Sequence, residues 1–382
     1  MRQADKHIYV HVPFCDGKCI YCGFFSELYD PLTVHRYSEA LGREFDLLSD
    51  EGKYSPETLY FGGGTPSILS EEALEELLNT VLARVDTKNL REWTIEANPG
   101  TLSPVKLRLL KTAGVNRVSI GVQSFDDRVL KSIGRRHCSA DVADAVIAVR
   151  GAGIKNIGID LIACLPGVDD RLWSKTLEQA LSLAPTHVSV YALTVENDTK
   201  LELLVNSGTV SLASDDHILR TIALTESTLQ EHGFGRYEIS NFCRSGYECL
   251  HNVSFWQGDD YLGFGPSASS RDGFARWTNR PQTGEYVSCL SEGVRPQHEA
   301  EVLSRESDSA ERFMFSFRLA QGVDLAEFCR KHGVDNAQAE KWSRVLSSLA
   351  RNGVVEADGQ RWRLTSRGKE LADYVAGELL VC

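Results

Sequence analysis

The sequence HVPFCDGKCIYCGFF, residues 11–25, contains three closely spaced cysteines, Cys15, Cys19 and Cys22. Three residues separate the first pair and two separate the second. A four-iron, four-sulfur cluster is normally held by four thiolates, so three clustered thiolates can bind three irons and leave the fourth iron open to a small ligand. The alternative is a zinc knuckle. Structural zinc usually has four ligands, and no fourth Cys or His follows at knuckle spacing, since His11 lies on the other side, in a predicted strand.

Composition indicates an ordinary soluble globular protein. Of the 382 residues, 42% are hydrophobic and 25% are charged, which is typical of such proteins, and the length predicts two domains. No apolar run could cross a bilayer. The opening MRQADKHIYV lacks an apolar stretch and a cleavage signature, so we expect no secretory signal. Ten cysteines in such a chain indicate reduced thiols and a cytoplasmic protein. The net charge of −12 argues against nucleic acid as a partner.

Six short strand-like segments recur along the chain, each followed by a helix-like segment. They are rich in Val, Ile and Tyr and end in Gly, Pro, Asn or Ser. The six segments are residues 7–14, 58–64, 93–99, 117–124, 156–165 and 187–194. This alternation implies a parallel sheet with helices outside. Six units instead of eight predict an α/β fold, an incomplete (β/α)6 TIM-like barrel over residues 1–235. A doubly wound sheet is the alternative, and in either architecture ligands bind at the carboxyl ends of the strands.

Local signals mark two of the predicted helices. Ser70, followed by an acidic first turn, predicts a helix over 70–85 whose leucines recur at helical spacing. Ser103 and Pro104 begin the next helix, and Gly114 ends it.

The pattern changes beyond residue 235. Residues 236–300 are dense in aromatic residues, Gly and polar residues, and we expect loops that wrap a site, followed by a charged linker near residues 292–308. Residues 301–382 predict a helical domain with a hairpin at Asp358-Gly359, which is typical of a winged-helix module. In an acidic chain we interpret this domain as a packing or partner-docking element instead of a DNA reader.

Polar residues and glycines lie where the predicted strands end. The glycines at 62–64, followed by Thr65, let the backbone approach a ligand closely, although a tight turn explains them equally well. Glu96 could accept hydrogen bonds from ribose hydroxyls, or it could be a solvated carboxylate. Three more polar residues could likewise contact a ligand: Gln123, Arg135 and Asp160. Of these, Arg135 could pair with a ligand carboxylate.

The order of these motifs resembles the oxygen-independent coproporphyrinogen III oxidase family of radical S-adenosylmethionine (SAM) proteins. The motifs are YVHVPFCDGKCIYC, FGGGTPS, IEANPG, SIGVQSFDDRVLKSIGRRH, GIDLIACLPG and YEISNF, and the resemblance covers nearly the whole chain. Radical SAM proteins hold SAM through its amino and carboxylate groups at the open iron of a cluster. The resemblance therefore implies that Cys15, Cys19 and Cys22 bind a [4Fe-4S] cluster and that the barrel is a radical SAM barrel.

The resemblance also implies residues that bind SAM. By position in the motifs, Tyr9, Gly63 and Glu96 would contact the SAM on the cluster. The true oxidases hold a second SAM, and the matching positions are Tyr21, Gly64, Thr65, Gln123, Arg135 and Asp160.

Two features separate this sequence from the oxidases and resemble the HemW-type heme chaperones, a branch of the same family. The oxidases have a further cysteine two residues after the third, where this chain has Phe24. They also have an N-terminal extension that helps to enclose the porphyrinogen, whereas this chain begins fourteen residues before Cys15.

A third feature is the segment HNVSFW at residues 251–256. It resembles the heme-binding motif of the chaperones, which is His-Asn, two residues, then Tyr-Trp, and Phe255 stands where the motif has Tyr. Imidazole is a strong axial ligand for heme iron, and aromatic rings suit a porphyrin face. We expect His251 to ligate heme iron and Trp256 to contact the porphyrin, with Cys249 as the alternative ligand.

These observations favour a protein that binds heme and passes it to acceptor apoproteins, which the resemblance leads us to expect at the respiratory membrane. The alternative is an oxidase that uses SAM to decarboxylate propionate side chains of coproporphyrinogen, an activity that we expect to be absent. A third option is a radical SAM enzyme with another substrate. The sequence leaves open the heme acceptor, whether SAM is cleaved, whether a second SAM binds, and the oligomeric state, for which a homodimer is one option.

Overall fold

The computed structural model describes residues 3–49 and 52–380. The strands, numbered in chain order, are β1 (His7–Val12), β2 (Phe14–Cys15), β3 (Glu27–Leu28), β4 (Thr58–Gly63), β5 (Glu92–Ala97), β6 (Arg117–Gln123), β7 (Asn156–Ala163), β8 (His187–Ala192), β9 (Gly235–Arg236), β10 (Asn241–Cys243), β11 (Leu262–Phe264), β12 (Ser269–Asp272), β13 (Ala275–Asn279), β14 (Gln297–Val302), β15 (Val323–Asp324), β16 (Val355–Asp358) and β17 (Arg361–Leu364). The α-helices are α1 (Pro31–Leu48), α2 (Glu71–Leu82), α3 (Pro104–Ala113), α4 (Asp127–Ser132), α5 (Ser139–Gly151), α6 (Asp170–Ser182), α7 (Lys200–Asn206), α8 (Asp215–Glu231), α9 (Leu250–Trp256), α10 (Thr283–Ser291), α11 (Arg305–Ser316), α12 (Leu325–His332), α13 (Asn336–Arg351), α14 (Ser366–Glu370) and α15 (Ala372–Leu380).

The largest sheet runs in the order β11-β1-β4-β5-β6-β7-β8-β10-β9. Its six central strands are the six that the sequence predicts, and each pairs in parallel with the one before it. A doubly wound sheet would reverse its strand order at a switch point, whereas this order advances in one direction, as in a barrel. Within the described part of the chain the edge strands β11 and β9 do not pair with each other. The prediction of an incomplete (β/α)6 barrel is therefore confirmed.

Residues along the parallel strands alternate between an apolar outer face and a polar inner face. In β1, Ile8, Val10 and Val12 belong to the apolar core, and alternation places His7, Tyr9 and His11 on the opposite face. On the other strands the inner face lines a cavity through residues 60, 96, 117, 119, 160, 189 and 191. The barrel thus has an interior suited to a polar ligand.

The predicted helix starts are confirmed. The side chain of Ser70 accepts a hydrogen bond from the backbone N–H of Ala73 at 3.2 Å, and the side chain of Ser103 caps α3 in the same way. Gly114 ends α3 with a φ of 110°, a backbone conformation that favours glycine. Helix α2 ends at Leu82, three residues before the predicted end.

The segment 236–300, which the sequence predicts as loops, contains regular structure. Strands β10 and β11 extend the main sheet beyond residue 235, and α9 occupies residues 250–256. Strands β12, β13 and β14 form a separate antiparallel sheet. The prediction of a linker near residues 292–308 is wrong, because β14 and the start of α11 lie there. β14 is largely exposed along its length, so no apolar alternation marks it in the sequence.

The C-terminal residues form a second apolar core. Phe313, Trp342, Leu346 and Val375 are among its buried members, and the rings of Phe313 and Trp342 stack at 4.2 Å. Helices α11, α12, α13 and α15 surround this core together with the small sheet β15-β17-β16. The prediction of a C-terminal helical domain with a hairpin, β16 and β17, is confirmed. Residues 3–49 and 52–380 include no helix with the length and apolarity that a membrane span requires.

Candidate functional site

The carboxyl ends of the barrel strands surround a cavity of about 850 Å³, a volume within the range of small-molecule sites. Most of the predicted cluster and SAM residues form its wall. They are Cys15, Cys19, Tyr21, Cys22, Gly63, Gly64, Thr65, Glu96, Gln123, Arg135 and Asp160. The other predicted residues, Tyr9, His251 and Trp256, lie outside this wall. The fold thus brings together residues that are spread over almost 150 positions of the sequence.

The three cysteines of the loop are free, half-buried thiols. The Sγ atom of Cys15 lies 3.5 Å from Oγ1 of Thr65, and the backbone N–H of Cys22 donates to the carbonyl of Cys19 at 3.3 Å. Burial raises the pKa of the Cys15 and Cys22 thiols. No three His, Cys, Asp or Glu side chains of the described ranges form a group that could hold a single metal ion.

Backbone hydrogen bonds fix the cysteine loop against the rest of the barrel. The N–H of Ile20 donates to the carbonyl of Ile133 at 3.1 Å, and the carbonyl of Ile20 accepts from the N–H of Leu201 at 2.8 Å. After the loop, the N–H of Tyr29 donates to the carbonyl of Cys15 at 2.9 Å. The loop is therefore held at its middle and at its base, so the thiols have defined positions.

The glycine run lies directly beside the cysteine loop. The N–H of Gly64 donates to the carbonyl of Val12 at 2.9 Å, and the N–H of Thr65 donates to the carbonyl of Phe14 at 2.7 Å. A Cβ atom on Gly64 would lie 2.6 Å from that Phe14 oxygen, so glycine is required for this close approach of two backbones. At Gly63 a Cβ would meet the ring of His11, not the cavity.

Glu96 is a buried carboxylate between the glycine run and the barrel interior. The hydroxyl of Tyr60 donates to its Oε1 at 2.7 Å, and the N–H of Gly63 donates to its Oε2 at 3.3 Å. Burial raises the pKa of Glu96 to about 7, although both hydrogen bonds oppose this shift. A carboxylate has about four acceptor positions, so Glu96 can still accept hydrogen bonds from a ligand in the cavity.

Gln123, Arg135 and Asp160 form the opposite wall. Gln123 has a φ of 68° at an irregularity in the β6–β7 pairing, an uncommon conformation for a residue with a side chain. The guanidinium of Arg135 donates to the carbonyl of Gly121 and, at 2.7 Å, to Oδ1 of Asn98. Asp160 accepts hydrogen bonds from two serine hydroxyls, at 2.6 and 3.1 Å, and its burial raises its pKa.

The two predicted tyrosines have different environments. Tyr21 lies in the cavity wall within the cysteine loop, and burial raises its pKa although Arg135 opposes this shift. Tyr9 lies deeper in the barrel, where its hydroxyl is 3.2 Å from Nδ1 of His11. Its ring is 6.0 Å from the ring of Tyr60 and 6.4 Å from that of His251. Tyr9 therefore connects the region of the cavity to the region of His251.

His251 lies in the first turn of α9, at the amino ends of the barrel strands. Its ring is 5.2 Å from the ring of Tyr60, and its Nδ1 is 2.9 Å from the hydroxyl of Thr58, the first residue of β4. Burial lowers the pKa of His251 to about 3, so the imidazole is neutral near pH 7. The start of α9 is held by Glu92, whose carboxylate accepts the N–H groups of Leu250 and His251 at 2.9 and 3.2 Å.

Trp256 and the alternative ligand Cys249 lie apart from the His251 ring. Trp256 contacts Phe255 and Phe315, and the guanidinium of Arg318 lies 4.8 Å from its ring. Tyr9 and Tyr60, and not the aromatic residues of its own motif, therefore lie beside the imidazole. Cys249 is fully buried, its Sγ donates to Glu92 at 3.4 Å, and burial raises its pKa far above the ordinary thiol value.

Several residues that hold the side chains of the candidate site are not predicted from the sequence. Tyr60 and Asn98 hold Glu96 and Arg135, and Ser119 and Ser189 hold Asp160. Most of these side chains occupy inner positions of the barrel strands. The signal that could have found them is a polar residue at every second position of a strand whose other positions are apolar.

Three thiols at the carboxyl edge of an open parallel barrel, next to a glycine run and a buried glutamate, are the arrangement of a radical SAM protein. The family model of the Radical SAM superfamily matches residues 9–180, and that of the HemN C-terminal domain matches residues 303–371. The structure is similar to that of coproporphyrinogen III oxidase (HemN) from Escherichia coli, a radical SAM enzyme. The TM-score is 0.84 at 22% identity, with 99% of this chain and 91% of that chain covered. At that identity the likeness shows the fold alone.

The sequence is similar over its full length to heme chaperone HemW of several bacteria. It is 34% identical to HemW of Bacillus subtilis, with 98% of this chain and 99% of the relative covered. It is also 34% identical to HemW of Lactococcus lactis, with coverages of 100% and 99%, and 32% identical to HemW of Escherichia coli, with coverages of 95% and 94%. The chain belongs to the HemW heme chaperone family of radical SAM proteins.

Proposed function

We propose that the protein binds heme and transfers it to acceptor apoproteins, using a radical SAM barrel that holds an iron–sulfur cluster and SAM. The observation that carries this proposal is the full-length similarity, at 34% identity, to relatives named heme chaperone HemW. The absence of a thiol at Phe24 supports it, because the resembling oxidases have a cysteine there. The acceptors would be heme proteins, including those at the respiratory membrane, and the protein would act in the cytoplasm, as a monomer or a homodimer.

Cys15, Cys19 and Cys22 would hold a [4Fe-4S] cluster. The fit is supported by three free thiols in the wall of one cavity and by a loop that hydrogen bonds fix at its middle and base. When bound, the cluster would supply one iron without a protein thiolate, open to a small ligand. The guanidinium of Arg135, whose Nη1 is 4.0 Å from Sγ of Cys19, would supply positive charge next to the anionic thiolates.

Glu96 and Gly63, in the cavity wall, would bind the SAM next to the cluster, whereas Tyr9 lies outside that wall and its contact with SAM rests on the resemblance alone. Glu96 keeps acceptor positions toward the cavity, and its bonds from Tyr60 and Gly63 fix its orientation. Ribose hydroxyls are suited to a carboxylate acceptor. A second SAM would occupy the far wall, at Tyr21, Gly64, Thr65, Gln123, Arg135 and Asp160. The cavity volume of about 850 Å³ leaves room for more than one small ligand.

His251 would be the axial ligand of the heme. Ligation needs an unprotonated nitrogen, and the low pKa of His251, about 3, keeps the imidazole neutral. Its Nδ1 is occupied by Thr58, whereas Nε2 has no hydrogen-bond partner within residues 3–49 and 52–380. Cys249 is less suited, because a buried thiol that donates to Glu92 resists ionisation. Trp256 would contact the heme from the end of the same helix.

Titration of the reconstituted full chain with hemin tests this assignment. His251→Ala should weaken hemin binding or change the heme absorption spectrum and should leave the iron content of the cluster unchanged. His35→Ala is the matched control, since His35 is an exposed histidine of α1 that pairs with Glu76. If His251→Ala behaves as the control does, and Cys249→Ala loses heme, the axial ligand is Cys249 and our assignment is wrong.

A further inference from the structure

Four side chains form a continuous chain of polar contacts that ends at His251. Oγ1 of Thr58 lies 2.9 Å from Nδ1 of His251 and 3.0 Å from Nδ1 of His7. Nε2 of His7 lies 3.9 Å from Oδ2 of Asp259. His7 and Thr58 are the first residues of β1 and β4 and are register partners in the parallel pair, so the sheet itself fixes the distance between them. Thr58 is 1% exposed and His7 is 8% exposed.

The directions of the hydrogen bonds in this chain follow from the chemistry of the groups. A hydroxyl has one proton to donate, so Thr58 can donate to only one of the two Nδ1 atoms and must accept from the other. Ligation of iron through Nε2 of His251 puts the ring proton on Nδ1, which then donates to Thr58. The hydroxyl of Thr58 therefore donates to Nδ1 of His7. The remaining ring proton of His7 is then on Nε2, which faces the carboxylate of Asp259. Both hydrogen bonds at Thr58 thus have a donor and an acceptor, whereas Asp259 acts on His7 through its charge at 3.9 Å and not through a hydrogen bond.

We propose that Thr58, His7 and Asp259 are positioning residues for the heme ligand His251. These contacts hold the imidazole of His251 in one tautomer and one orientation, with Nε2 free for iron. The hydrogen bond at Nδ1 also increases the basicity of Nε2. Metal-bound histidines are commonly fixed in this way by a partner on the second nitrogen. This inference rests on the proposed function, because it concerns the ligand that we assign to heme.

The chain also connects the heme ligand to the C-terminal core. Oδ1 of Asp259 lies 3.6 Å from Nζ of Lys331, in α12. Two partners, the His7 imidazole and the Lys331 ammonium, thus share one carboxylate.

The test compares variants of Thr58 in the full, reconstituted chain with hemin as the probe. Thr58→Val keeps the shape but removes the hydroxyl, so both Nδ1 atoms lose their partner. We expect heme affinity to fall by roughly 10- to 100-fold, the range for partners of metal-bound histidines, and the iron–histidine stretching frequency of the ferrous protein in resonance Raman spectra to decrease. Thr58→Ser keeps the hydroxyl and should restore both values.

A second pair of variants tests the end of the chain without removing a buried group. Asp259→Asn should lower the same stretching frequency by a smaller amount. Glu356→Gln removes an equal charge from a carboxylate that pairs with Arg363 at 2.8 Å in the C-terminal hairpin, and it should leave the frequency unchanged. The inference is wrong if Thr58→Val keeps the wild-type frequency, or if Asp259→Asn and Glu356→Gln shift it equally. If instead His251→Ala leaves the heme spectrum unchanged, the assignment of the ligand fails, and the two failures are thus distinguishable.

Discussion

Replacement of Gly63 by alanine probes the contact between the glycine run and the interior of the barrel. Gly63 has a φ of 100°, and a Cβ atom there would lie 2.4 to 2.7 Å from three ring atoms of His11. His11 is 4% exposed, and Nε2 of its ring is 3.0 Å from the carbonyl of Phe25, at the end of the cysteine loop. The ring therefore cannot move away without disturbing this loop.

Two effects lower the free energy of unfolding of Gly63→Ala. A residue with a side chain in the left-handed region costs about 1–3 kcal/mol, and forcing an extra methyl group into a packed site costs about 1–3 kcal/mol more. Gly153→Ala is the matched control: its φ is 83°, but its Cβ would meet only Cε of Lys111, at an ordinary 3.8 Å. The control thus has the backbone cost alone, and the difference between the two variants should be about 1–3 kcal/mol.

Urea unfolding of both variants, measured without cluster, gives this difference directly. Iron content after anaerobic reconstitution provides the second measurement, because displacement of His11 should reduce cluster retention in Gly63→Ala and not in Gly153→Ala. Equal losses of stability, together with equal iron content, would show that the ring of His11 yields freely and that our packing argument is mistaken.

Three further predictions concern other residues of the site and the core. Substituting Cys15, Cys19 or Cys22 by alanine should remove most of the cluster absorbance from a chain that otherwise takes up about four irons; a triple variant that keeps the absorbance would contradict the ligand set. SAM affinity, measured calorimetrically, should fall by up to about tenfold per pH unit as the pH decreases below 7. The reason is that burial raises the pKa of Glu96 to about 7, so its carboxylate gains a proton there. Glu96→Gln should bind SAM more weakly and without this pH dependence, and a dependence that persists in the variant would belong to another group. Burial also raises the pKa of Glu44 to about 7 from its ordinary 4.5. As the pH rises, the unfolded chain therefore loses this proton before the folded chain does, and the free energy of unfolding should fall between about pH 4.5 and about pH 7. Glu44→Gln should make the free energy of unfolding in urea less dependent on pH in that interval, and an unchanged pH dependence would refute this linkage.

The six barrel strands could be predicted because their signals are local. β-branched residues, terminal turns and the caps at Ser70 and Ser103 act within a few positions of one another, and the strand order follows from the alternation with helices. The cavity residues could be placed on one edge for the same reason, since parallel strands end together.

Helix α9 could not be predicted, because its stabilising group is remote in sequence. The residue before it, Cys249, makes no side-chain cap, and Glu92 supplies the cap from the start of β5, more than 150 positions away. Strand β11 has three residues and depends on pairing with its neighbour β1, which lies more than 250 positions earlier in the sequence. Such long-range contacts leave no periodic signal in the segment itself, and for this reason the sequence predicts a loop at His251.

One measurement tests the proposed function most directly. Purified, reconstituted protein is mixed with hemin in one sample and with coproporphyrinogen, SAM and a reductant in another. The proposed function predicts a stable heme spectrum that survives gel filtration in the first sample and no decarboxylation in the second. Turnover of coproporphyrinogen by a protein that does not retain heme would contradict it.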